Sequence, residues 1–228
     1  MSEEKENFYY GHRDRLREKF LGNHLADYEK LELLLSYAIP RRDVRPLARG
    51  LVKQFGGVYQ VLSASVDDLT AVKGIGHNTA VFLKLVHDMM QIGYKKQLNE
   101  NPVFHNETVL HNYCRSILIG KSVEEMHVLY LDTELRLIAD DLHTIGTFNA
   151  SSVYPREIAR RALQLNARSV VMLHNHPASA NSFSLDDKDV TIETMRVLKT
   201  LEIELYDHLL VANDNVFSMR AMHLLDHA

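Results

Sequence analysis

The stretch SVVMLHNHPASANSFSLDDKD, residues 169–189, decides how the chain is read. SVVMLH (169–174) is a short continuous apolar run of the kind that forms a buried strand. Pro177 ends that strand, and the small polar segment 178–183 leads to Ser184, which opens a helix over 184–203 with acids in its first turn. Side chains alternate along a strand, so His174 and His176 leave its end pointing the same way. Asp187 lies in the first turn of the facing helix. Two nitrogen ligands and one oxygen ligand leave a fourth position open for water, which suits a catalytic zinc better than a structural one. With 13 His, 13 Ser and 15 Asp in 228 residues, the spacing HxH-x7-S-xx-D is expected by chance about 0.003 times. The competing reading is two satisfied loop histidines and a Ser/Asp helix cap. It explains Ser184 cheaply, but not two near-adjacent histidines at the end of an apolar strand.

Outward from that stretch the pattern is that of an α/β domain. MHVLYLD (126–132) and LRLIADDL (135–142) read as a hairpin turning at Thr133-Glu134. YPREIARRALQLNA (154–167) is a helix with proline in its first turn, and LYDHLLVA (205–212) and NVFSM (215–219) are closing strands around Asn213-Asp214. The first hundred residues read as helices instead. Ile39-Pro40 breaks the apolar block 31–37, PLARGLVKQF (46–55) stops at Gly56-Gly57, Ser65 opens a short helix, and TAVFLKLVHDMMQIGY (79–94) is long and apolar-periodic. The polar stretch 95–106 carries a proline and no periodicity. The expected division is therefore a helical domain over 1–98, a linker over 99–106 and an α/β domain over 107–228.

Composition bounds the function. With 46% apolar and 25% charged residues, the chain has ordinary globular composition rather than that of a disordered one. No apolar run approaches the ~20 residues of a membrane span. The N-terminus MSEEKENFYY is acidic and lacks the apolar core of a signal peptide, and a lone cysteine, Cys114, excludes an internal disulfide. A cytoplasmic protein without membrane partners is expected. The net charge of −4 is uneven: residues 1–100 hold 15 Lys/Arg against 13 Asp/Glu, and residues 101–228 hold 11 against 17. The basic clusters 12–19 and 41–45 are interleaved with acids, which favours solvated helix faces over a polyanion-binding surface.

A zinc-bound water needs a base to carry its proton to the leaving group. Glu124, Glu125 and Glu157 are the candidates. Glu125 stands where a helix gives way to strand 126–132, in position to face the metal across the sheet, whereas Glu157 fits an ion pair with Arg160 or Arg161. Spacing alone leaves the choice open. Loop 178–183 would border the substrate, with Phe183 its one bulky group.

The pattern Glu125…His174-x-His176-Pro177-x6-Ser184-x-x-Asp187 resembles the JAMM signature of the JAB/MPN metalloproteases. More closely, the whole chain resembles the bacterial RadC (UPF0758) family, through GHRDRLREKF, LLLSYAIPRRDVRPLARGL, VKGIG, LDTELRLI, GTFNASSVYPREIARRAL, LHNHPASA and LYDHLLVA. The family's usual HNHPSG followed by proline is replaced here by Ala178-Ser179 and Phe183, while every ligand position is kept. The resemblance implies one zinc per chain on His174, His176 and Asp187, with Glu125 as acid/base and Ser184 hydrogen-bonding the oxyanion. It implies a zinc hydrolase of a peptide, isopeptide or related amide bond. Asp207-His208 also matches a family segment, with a core or supporting role preferred. Because all three ligands and Glu125 are present, a metal-free scaffold is disfavoured.

The segment Val72-Lys73-Gly74-Ile75-Gly76-His77-Asn78-Thr79-Ala80 resembles the hairpin of a helix-hairpin-helix DNA-binding element. Gly74 and Gly76 would allow the tight turn, helix-start amides would meet a phosphate, and Lys73 would add charge. The same turn also serves plain helix packing. The second functional reading is therefore a DNA-binding accessory protein of repair or recombination. A homodimer is compatible with the sequence but not specified by it.

Overall fold

The computed structural model describes residues 3–103, 107–146, 154–177 and 181–226, with side chains from residue 11 onward. It is a mixed α/β structure with nine helices and a five-stranded sheet among the described residues. The chain divides into two compact units, Met1–Asp88 and Met89–Ala228. None of its described helices is long and apolar enough to cross a membrane.

The first unit holds α1 (Glu3–Leu21), α2 (Asp27–Ala38), α3 (Arg45–Phe55), α4 (Val58–Ser63), α5 (Val66–Thr70) and the start of α6 (His77–Glu100). The punctuation read in the sequence is visible locally. Helix α2 ends just before Ile39-Pro40, α3 closes on Gly56 at φ 93°, and Ser65 caps α5 by accepting from the Asp68 amide at 3.0 Å. Leu31, Leu35, Leu51, Val61, Leu69 and Leu83 are fully buried between these helices. Helix α6 runs past the expected end at 94 to Glu100. Leu98 in the polar stretch is fully buried against Val103, Leu110 and Tyr113, and burial of that one leucine extends a helix that periodicity alone would have ended. The expected linker thus opens inside α6, and its residues 104–106 lie outside the described ones.

The second unit continues with α7 (Glu107–Leu118), β1 (Glu125–Leu131), β2 (Leu137–Ile145), α8 (Pro155–Gln164), β3 (Ser169–Asn175), α9 (Leu185–Lys199), β4 (Glu204–Ala212) and β5 (Asn215–Ser218). The sheet order is β2-β1-β3-β4-β5, parallel only between β3 and β4. That parallel step needs a crossover, which α9 supplies. The β1–β2 turn is longer than two residues, because Asp132 Oδ1 accepts from the amides of Glu134 and Arg136 and delays β2 to Leu137.

Every residue of β3 is buried, which is why this strand reads as an unbroken apolar run. Alternation sorts its side chains onto two faces. Val170 and Met172 join Met126, Val128 and Tyr130 of β1 in a cluster with Ile158, Ala162, Val190 and Leu198 from α8 and α9. Val171 and Leu173 join Leu129 and Leu131 in a second cluster with Leu110, Cys114 and Leu118 of α7. His174 continues the parity of Met172 and so belongs to the α9 face. Leu173→Ala should destabilise the chain by about 2–5 kcal/mol, the range for a buried leucine truncation. A smaller loss in denaturant unfolding would mean that α7 packs on the sheet less tightly than described.

Candidate metal centre

Three side chains converge where β3 ends and α9 begins. Strand pairing carries on beyond β3, since the His176 amide donates to the Val211 carbonyl at 3.1 Å. This keeps His174 and His176 in register on one face until Pro177 ends the pairing. Their Nε2 atoms lie 3.1 Å apart. Asp187 comes from α9 with Oδ1 3.2 Å from His174 Nε2 and Oδ2 3.5 Å from His176 Nε2. One ligand atom from each residue falls within 4.8 Å of the others. His174 and Asp187 are wholly buried.

Helix capping fixes the carboxylate. Ser184 Oγ accepts from the Asp187 amide at 3.0 Å, while the Ser184 amide and hydroxyl donate to Asp187 Oδ2 at 2.6 and 2.8 Å. This reciprocal pair satisfies two donors at the start of α9. The cap reading and the metal reading therefore hold together: Oδ2 serves the cap and Oδ1 is left for the site. Asp187 Oδ1 is buried with no aligned hydrogen-bond donor among the described residues. Burial alone would raise the Asp187 carboxyl, but His174, His176 and Ser184 outweigh it and hold the group well below the ordinary range. A buried acceptor-only oxygen beside two imidazole nitrogens is a nitrogen–oxygen set of the type zinc takes, and the residues present fit such an ion.

Behind the ligands lies His208, fully buried on β4. Its Nε2 is 2.9 Å from His174 Nδ1, and its Nδ1 is 2.6 Å from Thr191 Oγ1. Its position depends on an irregularity of β4. Val170 pairs with Leu205 but Val171 with Asp207, so Tyr206 is the extra residue and the alternation flips. Without that shift His208 would face α7. Burial, reinforced by the neighbouring His174, pushes the His208 ring well below its ordinary pKa. On the opposite face Asp207 accepts from the His208 and Arg220 amides and from Ser218 Oγ, at 2.7, 3.0 and 2.6 Å. Phe183 is not a free substrate-facing group. It is 7% exposed and lies 6.0 Å from the His174 ring and 5.5 Å from the His208 ring, centroid to centroid, over Leu210 and Met219.

The other candidates fall elsewhere. Glu125 shares the parity of His127 and Leu129, towards α7. Its carboxylate meets Lys121 Nζ at 3.0 Å and His127 Nε2 at 3.6 Å, and His127 Nδ1 meets Asp140 Oδ1 at 2.8 Å. Glu125, expected as the acid/base, thus lies not beside the three converging side chains but in a charged network on the far face that opens to solvent at Lys121. Glu124, one residue earlier, has the opposite parity, that of Met126 and hence of His174, its Cα partner on β3. The Gly146 amide donates to the Glu124 carbonyl at 2.8 Å and prolongs the β1–β2 ladder. Glu157 pairs with Arg160 at 2.7 Å, as its spacing suggests. Sequence reasoning missed Asn175, whose amide takes the Glu125 N–H at 2.8 Å and donates to the Val123 carbonyl at 3.1 Å, tying β1 to the end of β3. It also missed Thr191, whose signal was its place one turn after Asp187.

In the first unit Lys73 is exposed and Gly74 sits at φ 105°, a conformation that favours glycine. Gly76 accepts from the Ala80 amide at 3.0 Å at the start of α6. The loop residues 178–180, and residues 147–153 of the segment GTFNASSVYPREIARRAL, lie outside the described ones.

A strand-end His-x-His, a capped aspartate on the crossover helix and a mixed sheet between helices define a JAB-type domain. Residues 104–224 match the RadC-like JAB domain family. The chain is also similar to a UPF0758 protein of Fusobacterium nucleatum subsp. nucleatum, 37% identical over 225 residues, covering 94% of this chain and 96% of that one. It belongs to the RadC (UPF0758) family. The JAB/MPN fold is one on which hydrolases are often built.

Ser184→Ala removes the cap hydroxyl and one partner of Asp187. It should cost about 1 kcal/mol in denaturant unfolding, with Ser184→Thr restoring most of the loss. An unchanged midpoint would show that the cap is not what holds the Asp187 side of the site.

Proposed function

We propose that the chain is a zinc-dependent hydrolase of the JAMM type, acting on a peptide, isopeptide or related amide bond. The observation that carries this reading is the buried Oδ1 of Asp187, without an aligned donor and facing His174 Nε2 at 3.2 Å. An ionised buried oxygen in that state is costly unless a cation meets it. His174, His176 and Asp187 would hold one zinc, which would supply an activated water and polarise the carbonyl under attack. Ser184, exposed at the mouth of the site, would turn its hydroxyl from Asp187 towards the oxyanion. Of the two glutamates at the start of β1, parity favours Glu124 as the group that takes the proton of the water and passes it to the leaving amine. Glu125, the residue the resemblance implies, would first have to leave Lys121 and His127.

Purified protein should carry about one zinc per chain, the stoichiometry of such a site, and His174→Ala and Asp187→Ala should lose it. Glu124→Gln should keep the metal and abolish hydrolysis of a peptide or isopeptide panel, while Glu125→Gln should lose much less. Failure to take up zinc would end the enzyme reading, and the reverse order of the two glutamines would return the acid/base role to Glu125.

A second reading is favoured by one observation in the first unit. The Arg42 guanidinium lies 3.1 Å from where a Gly74 side chain would begin, so a cation stands over the turn that also carries Lys73. We propose that Lys73, Gly74 and Gly76 form a helix-hairpin-helix contact to a DNA phosphate. Binding of duplex DNA by the full chain should fall with salt, and Lys73→Glu or Arg42→Glu should each lower the salt slope by about one. A slope unmoved by both changes would assign the turn to packing.

A further inference from the structure

We infer that His208, held by Thr191, is the positioning residue that sets the tautomer of His174 and turns the lone pair of His174 Nε2 onto the metal position. The inference rests on the reading of His174, His176 and Asp187 as a metal site and extends it to a buried chain of hydrogen bonds. Thr191 Oγ1 makes a short contact with the Asp187 main-chain carbonyl, one turn earlier in α9, and lies 2.6 Å from His208 Nδ1. A hydroxyl has one proton, and a carbonyl can only accept. The Thr191 proton therefore goes to the Asp187 carbonyl, because any other placement sets two oxygen lone pairs against each other at hydrogen-bond distance. Thr191 Oγ1 is then an acceptor towards His208, which must carry its proton on Nδ1. A neutral ring protonated there has its lone pair on Nε2. The next contact, 2.9 Å to His174 Nδ1, is then filled only if His174 donates from Nδ1. In a neutral His174 ring Nε2 is then the unprotonated nitrogen, with its lone pair on the position between Asp187 Oδ1 at 3.2 Å and His176 Nε2 at 3.1 Å.

Each link is buried. His208, Thr191 and His174 are 0%, 2% and 0% exposed, and Phe183 covers both rings. Water is kept from offering the rings alternative partners, so the direction of the chain is set by its one fixed end, the Asp187 carbonyl. The same residue thus supplies an oxygen ligand with its side chain and, through its main chain, dictates which nitrogen of His174 is bare. Support of this kind behind a ligand histidine is commonly worth 10–100-fold in metal affinity, with the outer partner fixing tautomer and ring angle.

The test uses the full chain. Two-bond nitrogen–proton correlation spectra of the metal-free, 15N-labelled protein should show His174 and His208 both in the Nδ1–H form. Thr191→Val, close in shape but without the hydroxyl, should lose that pattern at His208, and His208→Leu should lose it at His174. Zinc affinity, read by competition with a chelating dye, should fall by about 10–100-fold in both variants. Thr191→Ser and His208→Gln, which keep a donor and an acceptor, should recover most of it. A His174 ring protonated on Nε2 and not on Nδ1 in the wild-type chain would overturn the inference whatever the zinc result. Wild-type affinity in Thr191→Val would do so as well. If the wild-type chain takes up no zinc while both rings are Nδ1–H, the metal reading fails and the hydrogen-bond chain stands.

Discussion

A carboxylate buried at the start of a helix is the constraint on which the α/β unit depends. Asp187 is fully buried, and an ionised group in that setting is tolerated only when its oxygens are met. Its two oxygens are used differently. Oδ2 belongs to the helix, taking the amide and hydroxyl of Ser184, a cap worth about 1 kcal/mol. Oδ1 belongs to the site. Leaving a buried charge uncompensated costs about 3–5 kcal/mol, several times the value of the cap, so how Oδ1 is met dominates the energetics of Asp187. The helix dipole, worth about 0.3–1 kcal/mol near a terminus, is a smaller matter again. It disfavours a cation at the start of α9, and the acids of the first turn, Asp186 and Asp187, offset it.

The rest of the unit serves to bring two histidines to that carboxylate. The parallel step from β3 to β4 forces the chain through α9, which sets the start of α9 beside the end of β3. Pairing of His176 with Val211 keeps the second histidine in strand register for one residue past the end of β3, and Asn175 between them faces the other way and ties β1 to the same point. Sheet alternation then does the sorting: residues of one parity meet the candidate metal, and residues of the other meet α7. The single irregularity of β4 brings His208 to the site face, and its cost is met by the bonds that Asp207 makes on the opposite side.

What the sequence could disclose was what strong local rules govern. The apolar run of β3, the N-cap at Ser184, the proline entry to α8 and the His-x-His spacing all follow from period, capping and parity, and all are found in place. The choice among the glutamates was not of this kind. Glu124 and Glu125 are identical in type and adjacent, and only the register of β1 against β3, with Met126 opposite His174, tells which side each takes. Register is a long-range property that spacing within one segment does not carry. The extension of α6 was hidden for a similar reason, since Leu98 is one apolar residue in a polar stretch and becomes informative only beside Leu110 and Tyr113. Asp207-His208 was legible only as a core or supporting pair, because the face that His208 takes depends on the bulge of β4, and nothing in LYDHLLVA marks the residue at which alternation slips.

The network on the far face gives Glu125 work of its own. His127 bridges Glu125 and Asp140 at 3.6 and 2.8 Å, and Tyr113 of α7 donates to Asp140 at 2.5 Å. Burial would raise the Asp140 carboxyl, but His127 and Tyr113 more than offset this and hold it below the ordinary range. These groups join α7 to the β1–β2 hairpin through charge rather than apolar packing, at the strand end where Asn175 fixes the Glu125 amide. Glu125 is so engaged at the start of β1, and the register of β1 against β3, with Met126 opposite His174, is what sets Glu124 on the face of His174. One residue thus separates the carboxylate that meets Lys121 and His127 from the glutamate on the face of His174, and the difference between them lies in which side of the sheet each takes.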